Sequence, residues 1–237
     1  MEQKRYCYDL EVYPNFFSVT FLDISTQEKD VFVIYKTRND GEKLKLFLDR
    51  NLLLYGFNNI SYDSTVLEHV LENHDSLSVL SDIYELSLKI IMDDSPYGYR
   101  NRKPVNEYPF KQIDLMKIMA FDKLGVSLKQ IATNLRWHRI QDLPYPPAHI
   151  IEPDEVPIVL DYNLNDTLIT YNLYLAMFSI IELREKLTSL YLVDLSSASD
   201  SKIANVLLED FYKKQGADID TIRGLRTVRY QLLLSEC

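Results

Sequence analysis

The feature that most constrains this chain is a pair of acidic residues inside an apolar and aromatic segment near its start. Asp9 and Glu11 lie in the segment 6–13, which contains no Gly or Pro. This pattern predicts a buried first strand, and because side chains alternate along a strand, the two carboxylates share one face. Two neighbouring like charges in a sheet are costly unless a positive group neutralises them. The pair therefore indicates either a carboxylate site for Mg²⁺ or Mn²⁺ or an exposed strand edge.

Length and composition predict a folded domain without a broad basic surface. The chain has 237 residues, 46% of them hydrophobic, which suffices for one large domain or a domain with a helical appendage. Since no apolar run approaches the roughly 18 residues of a membrane span, we expect no membrane association and a cytoplasmic location. The net charge of −9 disfavours binding of nucleic acid by a basic surface. It still allows a nucleic-acid enzyme whose bound cations attract phosphate.

Cysteines and histidines supply no alternative chemistry. Cys7 and Cys237 are the two cysteines, and they form neither a disulfide framework nor a metal-ligand spacing. The four histidines lack the spacing of zinc ligands. The acids therefore remain the main candidates for a functional site.

The order of the predicted elements indicates an α/β fold with a mixed sheet whose first three strands are antiparallel and whose faces are covered by helices. We expect Ser61 and Ser127 to cap the helices that follow them, and Pro157 to lie in a first helical turn. We expect one domain over 1–187 and a small helical extension over 188–237. The predicted elements are strands at 6–13, 16–22, 31–35, 52–57 and 110–115, and helices at 41–50, 62–72, 78–92, 116–124, 127–137, 155–187 and 200–215.

Three further residues extend the acidic pair into an ordered set. Asp63 lies at a helix start just after a strand, where α/β proteins usually place their sites. Tyr162 and Asp166 are four residues apart on the long predicted helix, so they share one of its faces. Asp114, at the end of a strand, is expected to cap the next helix, although a role as a fifth site acid is also open.

This set resembles the three motifs of the DEDD superfamily of 3′–5′ exonucleases, whose fold is called ribonuclease-H-like or DnaQ-like. The first motif, D-x-E, matches Asp9 to Glu11. The second, an Asn followed by an aromatic residue and Asp, matches Asn59 to Asp63, and Asn58 gives the longer spacing of this motif. The third, Y-x-x-x-D, matches Tyr162 to Asp166 and marks the tyrosine subclass. The resemblance spans roughly residues 6–185.

The resemblance implies a ribonuclease-H-like three-layer domain that hydrolyses phosphodiesters with two divalent ions, Mg²⁺ or Mn²⁺. Asp9 would bridge both ions, Glu11 and Asp166 would complete the site on the side of the nucleophile, and Asp63 would hold the second ion. Tyr162 would orient the attacking water. The implied products are nucleoside 5′-monophosphates released one at a time from the 3′ ends of single-stranded DNA.

Two segments are expected to contact the substrate strand. The first surrounds the second motif, where an aromatic ring can stack on the terminal base and an amide can form hydrogen bonds. The second is the segment 93–109, whose basic residues alternate with tyrosines; an ordinary solvated loop is the alternative there. The expected contact residues are Phe57, Asn58, Asn59, Tyr62, Arg100, Arg102 and Lys103.

A narrower resemblance concerns bacteriophage DNA polymerases. The segments 8–17, 142–147 and 196–203 look like parts of their amino-terminal exonuclease region. This implies proofreading during DNA replication, a polymerase domain or subunit as partner, and the host cytoplasm as location. A polymerase palm cannot fit after Glu185, so we expect either a stand-alone nuclease or a piece of a polymerase. Two other functions remain open: an exoribonuclease that trims RNA or short oligonucleotides, and an inactive nucleic-acid-binding scaffold.

Overall fold

A mixed β-sheet forms the centre of the protein in the computed structural model, which describes residues 3–36, 38–93, 105–119, 126–216 and 218. Its strands are β1 (Lys4–Tyr13), β2 (Phe16–Asp23), β3 (Lys29–Tyr35), β4 (Arg38–Asn39), β5 (Leu52–Gly56) and β6 (Lys111–Asp114). The order across the sheet is β4-β3-β2-β1-β5-β6. The first strand is therefore an interior strand, with β2 on one side and β5 on the other.

The strand directions confirm the predicted fold class. β1, β2 and β3 pair antiparallel in chain order, and β4 continues this pattern at the edge. β5 then runs parallel to β1, and β6 runs parallel to β5. A parallel neighbour requires a crossover connection, which the chain makes through a helix on one face of the sheet. The result is a mixed six-stranded α/β sheet, antiparallel from β4 to β1 and parallel from β1 to β6.

Helices cover both faces of the sheet, as expected. They are α1 (Gly41–Leu48), α2 (Asp63–Asn73), α3 (Val79–Ile91), α4 (Leu115–Met119), α5 (Leu128–Asn134), α6 (Val156–Tyr191) and α7 (Asp200–Lys214). Tyr8 and Leu10 of β1 pack on the side of α1, α2 and α3. Cys7, on the opposite side of the strand, packs with residues of α5 and α6. This alternation directs Asp9 and Glu11 toward the α6 side.

Two predicted helix starts have different outcomes. Ser127 caps α5 as expected, because its Oγ accepts from the Gln130 N–H while the Gln130 side chain accepts from the Ser127 N–H. The prediction for Ser61 is wrong, since α2 begins at Asp63 without a side-chain cap. The reason is that Asn58 takes a left-handed conformation and starts a 3₁₀ turn over Asn59–Ser61, so Ser61 is used within that turn.

The end of α5 also differs from its prediction. α5 ends at Asn134 rather than at 137, because Arg136 takes a left-handed φ of 54° and the Trp137 indole Nε1 donates to Asn165 Oδ1 at 3.0 Å. The predicted break near Gly125 and the segment that carries Arg100, Arg102 and Lys103 lie outside the described residues.

The long helix α6 extends beyond its predicted end. The Arg184 guanidinium, 2% exposed, bonds to the Ala198 carbonyl oxygen and to Asp200, which ties the segment after the helix back onto it. Because α6 continues to Tyr191, it crosses position 187, the predicted boundary between the two parts of the chain. The division into 1–187 and 188–237 stays a prediction. Although α6 has 36 residues, neither it nor another helix in the described ranges is apolar enough to cross a bilayer.

Gly56 permits the close approach of β5 to the turn that follows it. A Cβ atom at this position would lie 2.6 Å from the Cβ of Asn59, well inside van der Waals contact. We therefore expect Gly56→Ala to push the 3₁₀ turn outward and to reduce the free energy of unfolding by about 1–3 kcal/mol. Urea unfolding of this variant measures the loss. Lys45→Ala on the exposed face of α1 is the control, and an unchanged midpoint for Gly56→Ala would contradict the close packing.

Candidate active site

The first two acids of the site lie where β1 extends beyond its parallel neighbour. β5 pairs with β1 only as far as Cys7, so Asp9 and Glu11 lie past the end of that pairing. On the other side, β2 continues alongside, with Thr20 opposite Asp9 and Ser18 opposite Glu11. Both carboxylates are partly buried. Their position at the end of a parallel strand leaves room for a cavity above the sheet.

The third acid comes from the first turn of α2. Asp63 is buried, and the nearby backbone N–H groups of Asp63 itself and of Leu10 lower the pKa of its carboxyl group, which partly offsets the effect of burial. A carboxylate in the first helical turn is also favoured by the helix dipole. The start of α2 thus lies close to Leu10 of β1, the residue between the two acids of that strand.

The fourth acid and the tyrosine come from α6. Asp166 lies one helical turn after Tyr162, and the Tyr162 hydroxyl faces the Asp166 carboxylate as a hydrogen-bond donor. One carboxylate oxygen each from Asp9, Glu11 and Asp166 can be chosen so that all three lie within 4.8 Å of one another. The strand β1 and the helices α2 and α6 thus bring together residues that are up to 157 positions apart in the sequence, from Asp9 to Asp166.

All four acids line one open cavity of about 350 Å³. Its walls combine the acids with apolar and aromatic side chains from β1, from the turn before α2, and from α4 and α5. The lining residues are Asp9, Leu10, Glu11, Phe57, Asn58, Tyr62, Asp63, Met116, Val126, Ser127, Leu128 and Asp166. A cavity of this volume lies at the lower end of the range for small-molecule sites.

Burial raises the pKa of each of the four carboxyl groups, and repulsion by the other site acids adds to it at Asp9 and Glu11. For Asp9, the pKa is well above its usual range, first because of desolvation and then because of the charges of Asp63, Glu11 and Asp166. The pKa of Glu11 is raised in the same way, and burial raises the pKa of Asp63 to about 7. Four acids in one small cavity therefore resist simultaneous ionisation.

These acids have no paired cation among the residues that the structure describes. Within the described ranges, no Lys or Arg forms an ion pair with Asp9, Glu11, Asp63 or Asp166. Carboxylate oxygens are the ligands that Mg²⁺ and Mn²⁺ prefer in proteins. The donor set, its spacing and its uncompensated charge all fit a divalent cation, and Asp9, Glu11 and Asp166 can hold one.

Two residues of β6 that carry no sequence motif support the turn before Asp63. Gln112 Oε1 accepts from Asn59 Nδ2 at 2.8 Å and from Ser64 Oγ at 2.5 Å. Asp114 Oδ1 accepts from the Asn58 N–H at 3.0 Å, and also from the Met116 N–H, so it caps α4 as expected. The sequence contains a signal for this support. Gln112 and Asp114 alternate along a short strand, so they share one face, and buried polar side chains on such a face require hydrogen-bond partners.

The predicted substrate contacts have three different positions. Phe57, Asn58 and Tyr62 line the cavity together with the acids. Asn59 does not, because its side chain is buried and turned toward Gln112. Arg100, Arg102 and Lys103 lie outside the described residues. Leu10, Met116, Val126 and Leu128 also line the cavity and give it an apolar wall, and none of them is among the predicted contact residues.

Comparison of the sequence with protein-family models and with curated proteins gives no match. Among solved structures, the chain is similar to Escherichia coli exonuclease I in complex with a dT13 oligonucleotide, at 13% identity and a TM-score of 0.37 over 81% of this chain and 43% of that chain. It is also similar to the zinc-ion-bound form of the E. coli exonuclease I complex with single-stranded DNA, at 11% identity and a TM-score of 0.39, over 80% and 45% of the two chains. The chain thus spans less than half the length of either structure.

The raised pKa of Asp63 predicts a pH-dependent loss of stability in the metal-free protein. Its folded-state pKa of about 7 exceeds the unfolded value of about 3.9, so folding is penalised as the pH rises from about 4 to 7. We expect Asp63→Asn to raise the free energy of unfolding by roughly 1–3 kcal/mol at pH 8 and to change it little at pH 4. Denaturant unfolding with chelator at both pH values measures this effect.

The control for this prediction is Asp154→Asn, at an exposed position before α6. Addition of Mg²⁺ at pH 8 should remove or reverse the advantage of Asp63→Asn, because the ion neutralises the wild-type carboxylates. Equal stabilisation by Asp63→Asn at pH 4 and pH 8 would contradict the electrostatic explanation.

Proposed function

We propose that this protein is a metal-dependent 3′–5′ exonuclease that removes nucleoside 5′-monophosphates from the ends of single-stranded DNA. One observation carries the proposal: Asp9, Glu11, Asp63 and Asp166 converge from three elements on one cavity, and no Lys or Arg of the described residues pairs with them. The cluster is costly to the folded protein unless cations bind there. The reaction class, hydrolysis of phosphodiesters, is proposed on the order of the three motifs, which resembles that of the DEDD exonucleases.

The four acids would hold two metal ions, with a different set of carboxylates around each ion. Asp9 is central to the cluster and would be shared, Glu11 and Asp166 would complete one position, and Asp63 would hold the other. Two bound Mg²⁺ or Mn²⁺ ions supply charge neutralisation at the phosphate and an activated water. Asp63 lines the same cavity as Asp9 and Glu11, which suits it to hold the second ion.

Tyr162 is suited to orient the attacking water. Burial, followed by the negative charges of Asp166 and Glu11, raises the pKa of its phenol, so the hydroxyl stays protonated at neutral pH. A protonated phenol can donate one hydrogen bond and accept another. Tyr162 therefore serves as a hydrogen-bonding group that positions water next to Asp166, rather than as a general base.

The walls of the cavity favour a single unpaired nucleotide as the occupant. Phe57 and Tyr62 provide aromatic rings for stacking on a base, and Leu10, Met116 and Leu128 provide an apolar surface for base and sugar. The volume of about 350 Å³ suits one terminal nucleotide better than a base pair. The 3′–5′ direction, the preference for DNA, and a proofreading role beside a bacteriophage-type polymerase domain are proposed on the motif resemblance.

The proposal is tested by incubating the protein with single-stranded DNA and matched RNA, each labelled at the 5′ end. Reactions contain Mg²⁺, Mn²⁺ or chelator, and a parallel set carries the label at the 3′ end. We expect a metal-dependent ladder that shortens the DNA from the 3′ end, with mononucleotide as the first product of the 3′-labelled strand. Tight binding without hydrolysis would instead favour a binding module, and faster cleavage of RNA would favour an exoribonuclease.

Substitutions in the cluster should separate the roles of its members. Asp9→Asn should reduce hydrolysis to background, since the shared ligand is lost, while DNA binding stays measurable. Tyr162→Phe should lower kcat by roughly 10²-fold, because only the water-orienting hydroxyl is removed. Single-turnover assays on 5′-labelled DNA measure both effects.

Matched controls lie on the same helix. Asp161→Asn removes an exposed carboxylate adjacent to Tyr162 that pairs with Arg139, and Tyr171→Phe removes a partly exposed phenol. Both controls should retain activity within a few-fold of wild type. Wild-type hydrolysis by Asp9→Asn would exclude the proposed metal site.

A further inference from the structure

A fully buried asparagine of α6 contacts the central acid of the site. Asn163 follows Tyr162 directly, and its side-chain Nδ2 donates to Asp9 Oδ2 at 2.9 Å. Its Oδ1 accepts from the hydroxyl of Thr20 at 2.5 Å. Both Asn163 and Thr20 have no exposed surface. The chain of hydrogen bonds thus runs from β2, through α6, to the carboxylate on β1.

The chain of hydrogen bonds determines which end of the amide faces Asp9. An asparagine side chain presents an oxygen at one end and an NH₂ group at the other, and either orientation fills the same space. The Thr20 hydroxyl can donate to Oδ1, and the Asp9 carboxylate can only accept when ionised, so the orientation observed satisfies every group. Thr20 is also the residue directly opposite Asp9 in the β1–β2 pairing, which places it under the amide.

We propose that Asn163 is a positioning residue that holds the Asp9 carboxylate in the orientation required to bind metal, and that Thr20 acts through it. The inference rests on the metal role of Asp9 given under the proposed function. A hydrogen bond to one carboxylate oxygen restricts rotation of the group, which leaves the other oxygen directed into the cluster. Groups that support metal ligands in this way typically contribute about 10- to 100-fold in metal affinity.

A purely structural tie between β2 and α6 would predict a different result. In that case, loss of the amide would lower stability without a specific effect on metal binding. The readout must therefore be metal affinity in the folded protein. Binding of Mn²⁺, followed by the electron paramagnetic resonance signal of the free ion in the absence of DNA, provides this without any assay of activity.

The decisive set of variants is a double-mutant cycle. Asn163→Leu removes both polar ends at similar volume, and Thr20→Val removes the hydroxyl while keeping the shape of the side chain. We expect the Kd for Mn²⁺ to rise roughly 10- to 100-fold in Asn163→Leu and by a smaller factor in Thr20→Val. The double variant should match Asn163→Leu alone, because Thr20 acts only through the amide.

Two further variants serve as controls. Thr20→Ser keeps the hydroxyl and should bind Mn²⁺ like the wild type. Thr170→Val, at a buried position two turns further along α6 whose Oγ1 has no hydrogen-bond partner, should also leave the Kd unchanged. Near-ultraviolet circular dichroism checks that each variant is folded. If Asn163→Leu is not folded, comparison of the Kd for Mn²⁺ of Thr20→Val with that of Thr20→Ser still tests the positioning role.

The outcomes separate this inference from the proposed function. Wild-type Mn²⁺ affinity in folded Asn163→Leu, or equal affinity in Thr20→Val and Thr20→Ser, would overturn the positioning role even if the enzyme is an active exonuclease. The expected rise in Kd in a protein that hydrolyses no DNA would support the positioning role and contradict the exonuclease. Additive effects of Thr20→Val and Asn163→Leu would exclude the relay through the amide.

Discussion

The repulsion among four carboxylates in one cavity is the constraint on which the rest of the site depends. Desolvation raises the pKa of each acid, and the neighbouring acids raise those of Asp9 and Glu11 further, so the metal-free protein carries a cluster that weakens its own fold near neutral pH. Proteins retain such clusters where the cost is offset by a bound ion or used in a reaction. The absence of a paired Lys or Arg in the described part of the chain makes a divalent cation the natural counter-charge.

The fold maintains this cluster by fixing each acid to a different rigid element. β1 contributes two acids by strand alternation, α2 contributes one at its first turn, and α6 contributes one with a tyrosine a turn earlier. Hydrogen bonds then connect parts of the site: Asn163 of α6 donates to Asp9 of β1, and Gln112 of β6 accepts from Asn59 in the turn before α2. The site therefore requires the central part of the sheet and the helices on both of its faces.

Much of the fold and the acidic set could be predicted because the signals are local. Alternation along β1 places Asp9 and Glu11 on one face, and helical spacing places Tyr162 beside Asp166. The supporting residues Thr20 and Asn163 could not be predicted in this way, because they acquire their roles only through contacts between distant segments. For the same reason, Asn59 fits a sequence motif while its side chain faces the interior.

Errors at element ends have similar causes. Ser61 has the composition of a helix cap, but the left-handed backbone of Asn58 starts a 3₁₀ turn that uses it. α5 is shorter than predicted because Trp137 forms a hydrogen bond to α6 instead of continuing the helix. Tertiary contacts therefore determine these boundaries more strongly than local propensity does.

The most direct test of the account is to locate Mn²⁺ in crystals of the protein grown at pH 8, from its anomalous scattering. We expect one peak within coordination distance of the carboxylates of Asp9, Glu11 and Asp166, and a second between Asp9 and Asp63 when a nucleoside 5′-monophosphate is present. A map that shows these four side chains well ordered, in millimolar Mn²⁺ and with no anomalous peak between them, would contradict it.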